Sequence, residues 1–209
     1  MQLVLNYKNM FTGIVAKISK VEKVFWKKGS LFVVVKKPTE WKISLGDSIS
    51  INGVCSTIRK VSKNNFEVEY MPETVNKTTV ESFQKGILLN LEKSLRVSDL
   101  MDGHIVQGHI DNIGKVLEVK NSKESKIVKI QIPKKLIKFI APKGSIAIDG
   151  TSLTVIDVGI NWFTVSLVSY TIENTNMQNY KKDTKVNIET DVIAKYLYNF
   201  YKTEYAKKK

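Results

Sequence analysis

Cysteine is almost absent from this 209-residue chain. Cys55 stands alone, so no internal disulfide can form, and with only two histidines, His104 and His109, no Cys- or His-rich metal centre is expected. The expected compartment is therefore the reducing cytosol. Arginine is nearly as scarce: Arg59 and Arg96 are the only two, and lysine carries the net charge of +13. Bidentate recognition of phosphate and guanine favours the arginine fork. The dispersed lysines, densest at Lys134–Lys138, Lys181–Lys182 and Lys207–Lys209, thus read as solvated surface. A strand of nucleic acid would also want clustered aromatic platforms, whereas Trp26, Trp41 and Trp162 are scattered. Long apolar runs are missing too. The longest, Leu31–Val35, is far below the roughly 20 residues of a membrane helix, and Met1–Asn9 has no basic n-region or cleavage-type end. Neither nucleic acid nor a membrane is expected as a partner. Only 4 Pro and 11 Gly argue against a linker-dominated chain, and the 43% apolar content suffices for one sizeable core or two small ones.

What the chain does contain is itself, twice. Ser48-Ile-Ser-Ile-Asn-Gly-Val-Cys-Ser-Thr-Ile58 returns as Ser145-Ile-Ala-Ile-Asp-Gly-Thr-Ser-Leu-Thr-Val155, a shift of 97. The same shift carries Phe66–Glu69 onto Phe163–Ser166, Thr74 onto Thr171, Thr78 onto Thr175, and Leu89-Asn-Leu-Glu92 onto Val186-Asn-Ile-Glu189. Upstream, Gly13-Ile-Val matches Gly108-His-Ile at a shift of 95. Two homologous units follow, about residues 10 to 98 and 105 to 190. With the joining segment assigned to the first, the chain divides into an extension at 1–9, units at 10–104 and 105–190, and a tail at 191–209.

Within a unit the period is that of strands. Ser48–Ile51, Phe66–Tyr70, Val128–Ile132 and Phe163–Leu167 alternate, and Asn52-Gly53 and Asp149-Gly150 read as hairpin turns. Many short strands in under 100 residues indicate a small barrel or sandwich. Pro133–Ile140 is a short helical candidate. Asp191–Ala206 is a terminal helix with Ile193, Leu197 and Phe200 on one stripe, either a lid on a barrel or an oligomer contact.

Generic catalytic motifs are lacking: there is no G-x-S-x-G, P-loop, dinucleotide fingerprint or H-E-x-x-H. After each Asn/Asp-Gly turn, however, come small polar side chains, Cys55, Ser56 and Thr57 in one unit and Ser152 and Thr154 in the other, which can offer donors and acceptors to a flat polar ligand. A turn followed by strand-favouring threonines explains them equally well. The two histidines at i and i+5 share neither a helix face nor a strand face, which argues against a metal pair.

Met10-Phe-Thr-Gly-Ile-Val15, Asn52-Gly-Val-Cys55, Glu73-Thr74 with Thr78, Gly103-His-Ile-Val-Gln-Gly-His-Ile-Asp111 and Asp149-Gly-Thr-Ser-Leu-Thr-Val155 together resemble the riboflavin synthase family, alpha-chain type, built from two lumazine-binding repeats. The resemblance implies a mainly β protein of two six-stranded Greek-key barrels, with a C-terminal helix that assembles a homotrimer. It implies a cofactor-free dismutation of 6,7-dimethyl-8-ribityllumazine, a site shared between subunits, and lumazine synthase as a candidate partner. A non-catalytic lumazine or flavin carrier of the same fold is the competing reading.

Carried over position by position, the resemblance puts Gly13, Ile14, Val15, Cys55, Ser56, Thr57, Glu69, Tyr70, Met71, Pro72, Glu73 and Thr74 in a first substrate pocket. It puts Gly108, His109, Ile110, Lys143, Ser152, Leu153, Thr154, Ser166, Leu167, Val168, Ser169, Tyr170 and Thr171 in a second. His109 is the implied proton-transfer group, Cys55 or Ser48 the group that supplies or orients a nucleophile, and Asp191 an orienting neighbour. The chain departs from the family by the nine residues before Met10, by Ser56 where Leu is usual, and by Ser169-Tyr170-Thr171 where Pro-His-Thr or Pro-Glu-Thr is common.

Overall fold

Two-residue hairpin turns need left-handed backbone, and both Asn/Asp-Gly pairs supply it. Asn52 and Gly53 sit at φ 45° and 78°, Asp149 and Gly150 at 44° and 76°. The computed structural model that shows this describes residues 10–121 and 125–206. The extension at 1–9 and the tail residues 207–209 lie outside the described residues.

Twelve strands are described, and the four runs read as strands from the sequence all fall on them, though Ser48–Ile51 is buried on both faces. The first six are β1 (Lys17–Lys27), β2 (Ser30–Lys36), β3 (Ser48–Ile51), β4 (Val54–Val61), β5 (Asn65–Tyr70) and β6 (Leu88–Lys93). The second six are β7 (Asn112–Asn121), β8 (Ser125–Gln131), β9 (Ser145–Ile148), β10 (Thr151–Val158), β11 (Trp162–Val168) and β12 (Lys185–Thr190). Each set closes into an antiparallel barrel, β1-β2-β5-β4-β3-β6 and its counterpart β7-β8-β11-β10-β9-β12. Closure leaves no edge strand to template aggregation. Register shifts at Val21/Lys23 and Ile58/Lys60, repeated at Val116/Glu118 and Val155/Val158, bend the strands at matching places.

Each barrel encloses its own apolar core. Val33, Val35, Ile49, Phe66, Val68 and Leu91 fill the first, and Val128, Ile130, Ile146, Phe163, Val165 and Ile188 the second. Between them runs a pseudo-two-fold axis, marked by residues that meet their own repeat equivalents. Phe11 pairs with Val106 (N–H···O 2.7 and 3.1 Å), and Gly53 abuts Gly150 so closely that a Cβ on Gly53 would lie 2.7 Å from the Gly150 nitrogen. Around this axis the asparagines trade bonds symmetrically: Asn90 Nδ2 donates to the Asp149 carbonyl (2.9 Å), and Asn187 Nδ2 to that of Asn52 (2.8 Å).

Among the described residues three α-helices accompany the barrels. α1 (Pro72–Lys77) and α2 (Ser169–Asn174) each follow the fifth strand of a barrel. At one and a half turns they are too short to show a helical period in the sequence. The helix expected at Pro133–Ile140 is a 3₁₀ turn over Lys134–Phe139. α3 (Val192–Ala206) packs on the second barrel through Tyr198 against Phe139, ring centroids 5.3 Å apart, and through an ion pair from Lys195 to Asp111 at 2.8 Å. Its other side leaves Ile193, Tyr196, Leu197 and Phe200 more than half exposed.

Candidate functional site

β4 alternates outward and inward, so Cys55 and Thr57 face out while Ser56 faces the barrel interior. Beside Cys55 the chain of the second unit passes over: the Cys55 amide donates to the Gly108 carbonyl (3.0 Å). Gly108 has φ 75°, and a Cβ there would stand 2.7 Å from Cys55 Cβ, so glycine is required. This passage brings Gly108, His109 and Ile110 over α1, where they enclose with Cys55, Glu73 and Thr74 a cleft of about 270 Å³. Burial pushes the Cys55 thiol above its usual range, against a hydrogen bond from Ser48 that lowers it. At neutral pH the sulfur is therefore a thiol rather than a thiolate.

The second barrel repeats the arrangement with different side chains. Ser152, the counterpart of Cys55, donates its amide to the Gly13 carbonyl (2.8 Å), and a Cβ on Gly13 would meet Ser152 at 2.7 Å. The segment Gly13–Val15 thus borders the second barrel, and Gly108–Ile110 the first. This exchanges the two glycine segments between the pockets expected from the sequence. The Phe11–Val106 pairing is what crosses them over. His104 joins the second site, its Nδ1 2.7 Å from Ser152 Oγ. Among the described residues its Nε2 is the one buried side-chain polar atom lacking a hydrogen-bond partner. Burial holds the His104 pKa below its usual value, with the Asp191 charge opposing.

The remaining expected residues separate by strand face. Ser56 and Tyr70 are both 2% exposed and bonded to each other inside the first barrel (Oγ···Oη 2.8 Å). Leu153 and Leu167 are their buried counterparts in the second. The side chains of all four lie on the inward register, which leaves only their backbone on the outer face. Ser48 is buried behind Cys55. Glu69 is ion-paired with Arg59 (2.9 Å) on the outside of β5. Met71 and Pro72 lead into α1, exposed. Thr154, Ser166, Val168, Ser169, Tyr170 and Thr171 run along the outward face of β10 and β11 into α2, with Tyr170 projecting into solvent. Lys143 occupies an exposed turn at φ 68°, its amide donating to the Val155 carbonyl (2.9 Å). Asp191 caps α3, Oδ1 accepting from the Ile193 amide (2.9 Å). No group of three or more His, Cys, Asp or Glu able to hold a metal occurs among the described residues.

Two carboxylates stand behind the glycine segments. Glu92 on β6 accepts from the amides of Thr12 (2.6 Å) and Gly13 (3.1 Å) and from the Thr12 hydroxyl (2.8 Å). Glu189 on β12 accepts from the amides of Gln107 (2.7 Å) and Gly108 (2.9 Å). Burial pushes both carboxyls up to about 7, against the hydrogen bonds that hold them down. Neither these two nor His104 stands out as a site residue from the sequence. The recurrence of Asn-x-Glu at a shift of 97 was the available signal for the pair.

Two closed barrels joined by a pseudo-two-fold axis, each completed by a glycine segment of the other, form a tandem of one ligand-binding module. The lumazine binding domain family model matches the chain twice, at residues 12–94 and 107–191. The riboflavin synthase of Brucella abortus is 40% identical over 193 residues, covering 90% of this chain and 96% of that protein. Those of Actinobacillus pleuropneumoniae and Bacillus subtilis are 37% and 35% identical, each covering 91% of this chain and 89% of its own. The chain belongs to the riboflavin synthase family. Among solved structures, LumP complexed with riboflavin superposes with a TM-score of 0.80 at 23% identity, over 86% of this chain and 98% of that one, which shows the shared fold. No described helix is long and apolar enough to cross a membrane.

Proposed function

We propose that this chain is a riboflavin synthase, converting two molecules of 6,7-dimethyl-8-ribityllumazine into riboflavin and 5-amino-6-(ribitylamino)uracil. The observation that carries the reading is the duplication of one pocket frame within the chain, since a reaction between two identical molecules needs two similar seats. The four-carbon unit leaves one substrate by cleavage of its bonds to the pyrimidine-borne nitrogens and joins the other through new carbon–carbon bonds. The two products together hold the atoms of two substrates, so no oxidant, reductant or cofactor enters. Orientation of two bound rings supplies much of the acceleration.

His109, exposed at the mouth of the first cleft, moves the proton of the acidic C7 methyl group. Cys55, held as a thiol with Ser48 behind it, orients the nucleophile that adds to C7 rather than attacking itself. Asp191 acts through His104 and the start of α3. The first barrel of one copy faces the second barrel of a neighbour in a homotrimer. The exposed stripe of α3 supports this assembly, as an apolar helix face of that extent marks an interaction surface. The division at 10–104, 105–190 and 191–209 follows the same logic, with the third segment serving assembly.

The deciding experiment incubates the purified protein with 6,7-dimethyl-8-ribityllumazine and follows riboflavin fluorescence. Turnover is expected. Tight binding without turnover would make the chain a carrier, and no binding would refute both. Leu197→Asp with Phe200→Asp should reduce the mass in solution to that of a monomer and abolish most activity; a fully active monomer would refute the shared site.

A further inference from the structure

Each pocket depends on a backbone segment that comes from the other barrel, and such a segment needs an anchor where it leaves its own. Gly13 and Gly108 run at φ 78° and 75°, so successive amides point inward to one side and need acceptors there. Glu92 and Glu189 provide them. Both are buried, 7% and 2% exposed, and both take the two successive amides on their two carboxylate oxygens. Beyond each anchor the next contact is the pocket itself: the Gly13 carbonyl receives the Ser152 amide and the Gly108 carbonyl that of Cys55.

We propose that Glu92 and Glu189 are positioning residues for the two pockets, each fixing the glycine segment that its own barrel contributes to the pocket of the other. This rests on the pockets being the lumazine and riboflavin seats proposed above. The consequence is crossed: Glu189, on the second barrel, governs the first pocket, and Glu92, on the first barrel, governs the second. A carboxylate accepting two amides makes charge-assisted bonds, and moving the segment by an ångström misplaces His109 and Ile110 over Cys55. A role confined to barrel stability would act on the carboxylate's own barrel instead.

Cys55, the sole cysteine and a lining residue of the first cleft, reports on that pocket alone. The experiment measures alkylation of Cys55 by iodoacetamide, without ligand and over a riboflavin titration, in the wild type, Glu92→Gln and Glu189→Gln. Loss of a charge-assisted anchor should raise the riboflavin concentration for half-protection about tenfold in E189Q and leave it within about twofold in E92Q. The ligand-free rate should likewise rise in E189Q and not in E92Q. Because the Glu189 charge also raises the thiol's pKa, Glu189→Asp is run beside it. That variant keeps the charge, falls one methylene short of the two amides, and should behave as E189Q does; it also serves if E189Q does not fold. Equal behaviour of the Glu189 and Glu92 variants, or a larger effect in E92Q, overturns the proposal. If riboflavin fails to protect even the wild type, the pocket reading falls, and the ligand-free rates still decide the anchoring.

Discussion

The two barrels share a frame and differ in what fills it. Inside the first, Ser56 and Tyr70 meet hydroxyl to hydroxyl; at the same places the second has Leu153 and Leu167. A small residue with a large one replaces two of middle size, so the volume is kept, and each hydroxyl gives the other its partner. The Ser56 side chain, where leucine is usual, thus lies inside the core against Tyr70 rather than on the outer face of β4. At the axis the difference runs the other way: Asn52 and Phe83 in the first barrel stand where Asp149 and Tyr180 do in the second, the latter two bonded at 2.7 Å. At the pockets Cys55 with Ser48 answers Ser152 with His104, and His109 answers Ile14. The backbone repeats where it carries the frame, and the side chains diverge at the two proposed seats, which in the proposed reaction treat identical molecules differently.

Breaking the frame should cost most. Gly53→Ala forces a Cβ onto the Gly150 backbone at a positive φ, and urea denaturation should show a loss of about 4 kcal/mol or failure to fold. The asymmetry of the pockets comes next. His109→Gln should lower kcat about 100-fold with a smaller change in KM, while the mirror change Ile14→Gln costs much less; equal losses would remove His109 from proton transfer.

The third change copies the first barrel into the second. Asp149 is fully buried, and burial raises its carboxyl to about 6 against bonds from Tyr180 and Asn187. A carboxyl with a raised folded pKa contributes stability that is complete below the unfolded value, near 4, and is lost as pH climbs through about 6. Asp149→Asn removes that loss. Thermal melts should show the variant about 2 kcal/mol more stable than wild type at pH 8 and level with it near pH 4. Smallest is Tyr70→Phe, which removes one partner while Ser56 Oγ still donates to the Val54 carbonyl (2.9 Å); it should cost about 1 kcal/mol. Ser56→Leu with Tyr70→Leu, importing the second barrel's pair, should recover most of that loss in a double-mutant cycle.

Much of this was legible in the chain. The shift of 97 gave the two units, Asn52-Gly53 and Asp149-Gly150 gave the hairpins, and Ile193, Leu197 and Phe200 gave the last helix. The strand alternation that sends Phe66 and Val68 inward also sends Tyr70 inward, so its burial could have been read. What a repeat cannot disclose is where its pieces dock. Equivalence of Gly13 and Gly108 says that they do the same thing, and says nothing of which barrel receives them; that follows from the long-range pairing of Phe11 with Val106. The grip of Glu92 on Thr12 likewise joins residues 80 positions apart, with no local period to betray it.

The pairing of Phe11 with Val106 has a consequence for assembly. Residues that touch their own equivalents form an isologous patch, so either unit alone carries both halves of the contact and is self-complementary. Joining the units in one chain turns what would be a concentration-dependent dimer of barrels into an intramolecular docking at an effective concentration fixed by the connecting segment. The tether also makes the dimer unsymmetrical by construction, which is what allows Cys55 and Ser152, or His109 and Ile14, to diverge on the two sides of a single axis.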